Sequence, residues 1–564
     1  MEALDWLVIG VFFLALIGII VWVVRQKQND SADYFLGGRD ATWLAIGASI
    51  FASNIGSEHL IGLAGAGASS GMAMAHWEIQ GWMILILGWV FVPFYTRSMV
   101  YTMPEFLERR YNPQSRTILS VISLVSYVLT KVAVTVYAGG LVFQQVFGIK
   151  ELWGIDFFWI AAIGLVVLTA LYTIFGGMKS VLYTSVLQTP ILLLGSLIIL
   201  VLGFKELGGW DEMMRVCGAV TVNDYGDTMT NLIRSNDDAN FPWLGALIGS
   251  AIIGFWYWCT DQFIVQRVLS GKNEMEARRG TIFGAYLKLL PVFLFLIPGM
   301  IAFALHQKYI GAGGEGFLPM LANGTANADA AFPTLVAKLL PAGVKGLVVC
   351  GILAALMSSL ASLFNSSAML FTIDFYKRFR PETPEKKLVG IGQIATVVIV
   401  ILGILWIPIM RSVGDVLYTY LQDVQSVLAP GIAAAFLLGI CWKRTSAQGG
   451  MWGLIAGMVI GLTRLGAKVY YSNAGEVADS TFKYLFYDMN WLFFCGWMFL
   501  FCIIVVIVVS LATEAPTAEK IQGLVFGTAT KEQKAATRAS WDHWDIIHTA
   551  IILAITAAFY WYFW

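Results

Sequence analysis

Long apolar runs of about twenty residues, separated by shorter polar stretches, dominate the chain. A helix needs roughly 20 apolar residues to cross a bilayer core about 30 Å thick. On that ruler the pattern predicts fourteen spans, at 5–24, 41–68, 77–96, 117–145, 155–174, 180–202, 242–266, 280–305, 342–375, 388–410, 415–440, 448–467, 490–512 and 544–563, numbered zero to thirteen. A membrane barrel would show short alternating strands instead, and these runs are continuous. Composition agrees, with 58% apolar and only 13% charged residues and a mean hydropathy of +0.72, against about 25% charged in soluble proteins. The expected fold class is an all-α integral membrane protein. Basic and acidic residues balance at 36 each, which gives no electrostatic case for nucleic acid. The six cysteines lie far apart without CxxC spacing, mostly in apolar runs, so neither a disulfide framework nor a thiolate metal site is expected.

The N-terminus does not read as a cleavable signal. Glu2 and Asp5 stand where a basic region belongs, and no A-x-A site follows. Arg25 and Lys27 directly after span zero place that side in the cytoplasm. Alternating from there, the inside loops collect Arg97, Arg109, Arg110, Arg116, Arg267, Lys272, Arg278, Arg279, Lys377, Arg378, Arg380, Lys386, Lys387, Lys443 and Arg444. Outside loops hold little beyond Lys150, Lys308 and Arg411. Both termini are therefore expected outside. The connections 203–241 and 306–341 fall outside and 513–543 inside, read as caps or linkers. The sequon Asn323-Gly324-Thr325 would lie outside, but such triplets are common by chance.

A hydrogen-bonding or ionisable side chain in hydrocarbon needs a reason. Span one carries Ser49, Ser53, Asn54, Gly56, Ser57, Glu58 and His59 at mid-membrane. That is the pattern of a helix that breaks and frees carbonyls for a cation or polar solute; tight small-residue packing is the plainer reading. Span two has Glu78 and Gln80, where a lone Glu ordinarily snorkels to water. Span six has Phe255-Trp256-Tyr257-Trp258, too deep for an interfacial belt, followed by Asp261. Arg267, a turn and a half further on, marks that acid as an ion-pair or helix-end partner. Lys288 in span seven must face a partner or a wet cavity. Span eight offers Ser358, Ser359, Ser362, Asn365, Ser366 and Ser367, though membrane serines often only bond back to the i−4 carbonyl. Span ten has Tyr418, Tyr420 and Gln422. Neutral oxygens suit a hard cation such as Na⁺, and aromatic faces beside donors and acceptors suit a polyhydroxylated solute. No nucleophile–base pair suggests chemistry on it.

At these residues the chain resembles the sodium/solute symporter family, in its sodium–glucose cotransporter branch. The likeness is carried by Tyr34-Phe35-Leu36-Gly37-Gly38-Arg39, Ile46 to Ser57, Tyr101 to Phe106, Ala170 to Ile174 with Gly176-Gly177, Trp256 to Gln262 with Gln266-Arg267, and Ser358 to Leu360 through Asp374-Phe375-Tyr376. It covers about 5–470 and is weaker afterwards. The resemblance implies two inverted five-helix repeats, at 41–202 and 242–440, with one helix before (within 1–40) and three after (441–512 and 544–564, joined by 513–543). It implies Na⁺ at the carbonyls of Ala52, Ile55 and Ala355 and the hydroxyls of Ser358 and Ser359. Sugar-binding positions fall on Asn54, His59, Glu78, Tyr257, Trp258, Lys288 and Gln422, and an outer gate on Leu63 and Tyr418. Members with a second sodium place Asp where this chain has Ser185, and paired hydroxyls where it has Ala361 and Ser362, so that second site is expected to be absent. Gly254 stands where relatives carry Asn or Thr.

The expectation is thus symport of a neutral glucose- or galactose-like hexose with one Na⁺, in the cell membrane, with a monomer sufficient. Alternatives are a symporter of myo-inositol, a sugar acid or an amino acid, and a transporter-derived sensor, for which the tail ending at Trp564 leaves no appended domain.

Overall fold

Helices make up most of the described chain, and the one sheet among the described residues is the hairpin Glu151–Leu152 with Ile155–Asp156. The computed structural model describes residues 1–26, 30–56, 58–321, 324–410, 417–473 and 478–564, with side chains for all of these except 128–130, 133, 141, 145, 406–410, 417–421, 472 and 473. The sequon's Asn323, Arg411 and the side chain of Tyr418 lie outside the described residues.

Eleven helices among the described residues are long and apolar enough to cross a membrane. Fourteen spans are expected from the sequence, and the difference lies where runs join or bend. Expected spans four and five form one 51-residue run, Phe157–Leu207, turned at Gly177, whose φ of 53° only glycine adopts cheaply. Expected spans one and two share the run Glu58–Ser98, and the first half of span one is the short helix Trp43–Asn54. Expected span three is divided by a π-helical turn, Tyr127–Val132, leaving the short apolar helix Val134–Gln144.

Burial orders the helices from centre to edge. The windows within Val344–Phe379 and Glu274–Gly311 are 89% and 83% buried, while those within Ala3–Val24 and His543–Tyr562 are 22% buried. The edge helices turn large apolar side chains outward, such as Leu14 and Trp561. An outer surface of this kind suits lipid and not water.

Two interruptions position the site. Trp43–Asn54 ends at Ile55, which is extended (φ −82°, ψ 105°), and the chain resumes as a π-helical turn, Glu58–Leu63, and then Ala64–Ser70. Asn54, β-branched Ile55 and Gly56 are poor helix formers in succession, Asn because its amide competes for backbone groups. Packing fixes what propensity begins. A Cβ on Gly67 would land on the Leu296 carbonyl, and one on Gly299 on the Ala64 carbonyl. The second half of span one therefore meets span seven backbone to backbone. Span six breaks in the same way: Trp243–Gly254, a π-helical turn Phe255–Thr260, an extended Asp261 (φ −77°, ψ 127°), then Gln262–Leu269. The Asp261 carboxylate accepts from the Phe263 amide and caps the second half.

Candidate functional site

The two breaks open onto one cavity. Its wall holds Asn54, Glu58 and His59 from span one, Trp77, Glu78 and Gln80 from span two, and Lys131 from span three. Gly254, Tyr257 and Trp258 come from span six, Lys288 from span seven, Ser359 from span eight, and Gln422 and Gln425 from span ten. Every residue of the expected sugar-binding set lies in this wall. Leu63, one turn beyond His59, is buried and is not among the lining residues. The free volume is about 50 Å³, room for a few waters and well short of the roughly 300 Å³ at which small-molecule pockets begin. A ring-sized guest must therefore push side chains apart.

What it would push apart is a set of polar groups bound to one another. The Lys288 ammonium donates to Glu78 Oε2 at 2.6 Å, with both side chains buried. His59 Nε2 lies 3.3 Å from the same carboxylate oxygen and 3.4 Å from Asn54 Nδ2. Lys288 Nζ also sits 5.3 Å from the centre of the Trp258 ring, a cation–π distance. Among the lining residues, Gln422 Oε1 and Trp77 Nε1 are buried atoms without a hydrogen-bond partner among the described residues. Such orphans are costly unless a guest or water meets them.

The expected cation ligands are all buried against the break. A helix leaves its last carbonyls without intrahelical partners. The Ser359 hydroxyl donates to one of these, the Ser53 carbonyl, at 3.0 Å. Ser358 Oγ lies 3.2 Å from Ser185 Oγ. Ser362 Oγ donates to the Ser358 carbonyl at 2.7 Å and lies 2.6 Å from Ser53 Oγ.

Asp261 is an ion-pair and helix-end partner, as its sequence position leads one to expect, but its cation is Lys131, at 2.6 Å, and not Arg267; it also accepts from the Tyr127 hydroxyl. Helical spacing placed Arg267 near it, but the extended backbone at Asp261 breaks that spacing. Arg267 Nε instead donates to Ser53 Oγ at 3.2 Å. Sequence reasoning also passed over Lys131 and Gln80 as site residues. The rule that singled out Lys288 would have found Lys131, a cation inside the apolar run of span three.

A charged and hydrogen-bonding cavity between two interrupted membrane helices defines a solute carrier. Residues 34–457 match the sodium:solute symporter family, and the chain belongs to it. The chain is 37% identical over 542 residues to Sodium/myo-inositol cotransporter 2 of Mus musculus, covering 94% of this chain and 80% of that protein. It is 35% identical over 560 residues to Sodium/glucose cotransporter 4 of Danio rerio, covering 96% and 84%. A solved Na⁺-coupled sialic acid symporter, substrate-bound and outward-open, shares the fold with a TM-score of 0.72 at 22% identity, over 92% of this chain and 99% of that one. The protein is a Na⁺-coupled solute symporter, a multi-pass membrane protein and not an enzyme.

Proposed function

We propose that the protein carries a neutral hexose of glucose or galactose type into the cell together with one Na⁺, by alternating access. The observation that carries the neutral solute is the Lys288–Glu78 pair at 2.6 Å. With Lys131 held by Asp261 as well, both lysines of the wall are already matched by carboxylates. The carboxylate of a sugar acid or amino acid would find its counter-charge taken, whereas hydroxyls can exchange into the existing hydrogen bonds. Tyr257 or Trp258 supplies the aromatic face for the ring, and Asn54, His59, Glu78, Lys288 and Gln422 its hydrogen bonds. Leu63 and Tyr418 close the outer side.

Na⁺ would be held by the carbonyls of Ala52, Ile55 and Ala355 with Ser358 and Ser359, pinning the broken span one against span eight. Support for a single Na⁺ comes from the positions of the second ion: Ser185 and Ala361 supply neither a carboxylate nor a hydroxyl pair there, and the Ser362 hydroxyl is already bonded to the Ser358 carbonyl and Ser53 Oγ. The chain would cross the membrane fourteen times, with both termini outside and 41–202 and 242–440 as inverted repeats rocking about the cavity.

A second reading, myo-inositol as the solute, is favoured by the name of the mouse relative. Na⁺-dependent uptake into proteoliposomes, run against glucose, galactose, myo-inositol and a uronic acid, decides. Saturable hexose uptake that vanishes when K⁺ replaces Na⁺ is expected. Preference for inositol selects the second reading, and preference for the uronic acid contradicts the neutral assignment.

A further inference from the structure

Beyond the residues assigned above, span two brings one more polar group into the cavity. Its helix is interrupted between Ala75–Glu78 and Gly81–Ile86, with Ile79 and Gln80 at ψ 23° and 22°, the bridge conformation often found at site residues. Gln80 is only 3% exposed and lines the cavity. Its carboxamide lies flat against Gly254, where a Cβ would fall 2.5 Å from Oε1, 2.8 Å from Cδ and 3.0 Å from Nε2. No side chain larger than hydrogen fits at position 254 while Gln80 stays there. The amide is fixed at both ends: Nε2 donates to the Ser250 carbonyl at 2.8 Å, and Oε1 accepts from Trp258 Nε1 at 3.3 Å. A primary amide has two N–H donors and two lone pairs. One of each remains on an amide that lines the cavity with Trp258 and Lys288. A donor and an acceptor on one rigid plane match a hydroxyl, which both gives and receives.

We propose that Gln80 reads one hydroxyl of the solute ring, through an amide that the missing side chain at Gly254 admits to the wall, and thereby sets which stereoisomers are accepted. This rests on the neutral, polyhydroxylated solute proposed above. Na⁺-dependent uptake of a labelled hexose, competed by its series of monodeoxy analogues, tests it by comparing the unaltered protein with Gln80→Met, which keeps the volume and removes the amide. In the unaltered protein, loss of the hydroxyl that Gln80 reads weakens competition about three- to tenfold, as one neutral hydrogen bond to a buried group implies. In Gln80→Met that single analogue competes as well as the parent sugar, while the other analogues keep their penalties. An unchanged profile, or the same weakening for every analogue, overturns the proposal, the latter because it would make Gln80 only a support for Trp258.

Gly254→Thr is the second arm, and it serves equally if the Met variant does not reach the membrane. Thr alone collides with the amide and depresses uptake; Gln80→Ala in the same chain relieves the collision, and the restored uptake no longer penalises the one analogue whose hydroxyl Gln80 reads. Indifference to Thr, or no restoration, overturns the proposal. If the unaltered protein takes up no polyol with Na⁺, the reading beneath the proposal falls along with it; uptake with an unchanged profile removes only the role of Gln80.

Discussion

Glu78→Gln probes the electrostatics of the cavity most sharply. The change keeps size and shape but removes the charge that faces Lys288 at 2.6 Å. The ammonium is then left buried beside the Trp258 ring and a neutral amide. Breaking one partner from a buried ion pair costs about 3–5 kcal/mol, because the surviving charge stays desolvated. That cost falls on the fold with or without sugar; hexose affinity should fall by the lost hydrogen bond to a charged group, about 1.5–3 kcal/mol, or roughly 10- to 10²-fold at about 1.4 kcal/mol per tenfold. The same orphaned ammonium should now welcome a carboxylate from the solute. Uptake of labelled glucose and of labelled glucuronate into proteoliposomes, at fixed Na⁺, reads both sides. Hexose affinity should fall while uronate uptake, absent in the unaltered protein, emerges. Adding Lys288→Met should abolish the uronate activity. If Glu78→Gln leaves hexose affinity within about threefold and gains no uronate uptake, the Lys288–Glu78 pair does not set the charge of the site.

Ser359→Ala removes the hydroxyl that donates to the Ser53 carbonyl at 3.0 Å; apparent Na⁺ affinity in uptake should fall about fivefold with the solute preference unchanged, since one such oxygen contributes on the order of 1 kcal/mol. Lys131→Met leaves Asp261 buried without its cation and should cost about 3–5 kcal/mol of stability. It should be read as a lower midpoint in thermal denaturation in detergent, with Asp261→Asn in the same chain recovering most of the loss. The Na⁺ dependence of uptake should give a Hill coefficient near 1 and one charge moved per sugar, and values near two for either would contradict the single-ion assignment.

The break in span one is legible in the sequence because its cause is local: Asn54, Ile55 and Gly56 in succession oppose a helix, and small residues flank them. Lys288 and Glu78 stand out for the same reason, as charges in apolar runs. Pairing is harder to read. Lys131 meets Asp261 across 130 positions of chain, and no helical spacing reports that contact. The interruption at Asp261 carried Arg267 away to Ser53, against the helical extrapolation. Gln80 was visible as a polar residue near an interface. Its place in the wall depends on a kink in span two and on the absence of a side chain at Gly254, two features that are far apart in sequence and meet only after folding.

The central claim is that an ion seated on the interrupted first span orders the cavity beside it. Titrating Na⁺ into purified protein in nanodiscs, with and without saturating sugar, and then sugar with and without Na⁺, measures this coupling directly. The account predicts that each ligand tightens the other by the same factor, about 5- to 150-fold for a coupling of 1–3 kcal/mol. Equal Na⁺ affinity in the presence and absence of sugar would contradict it.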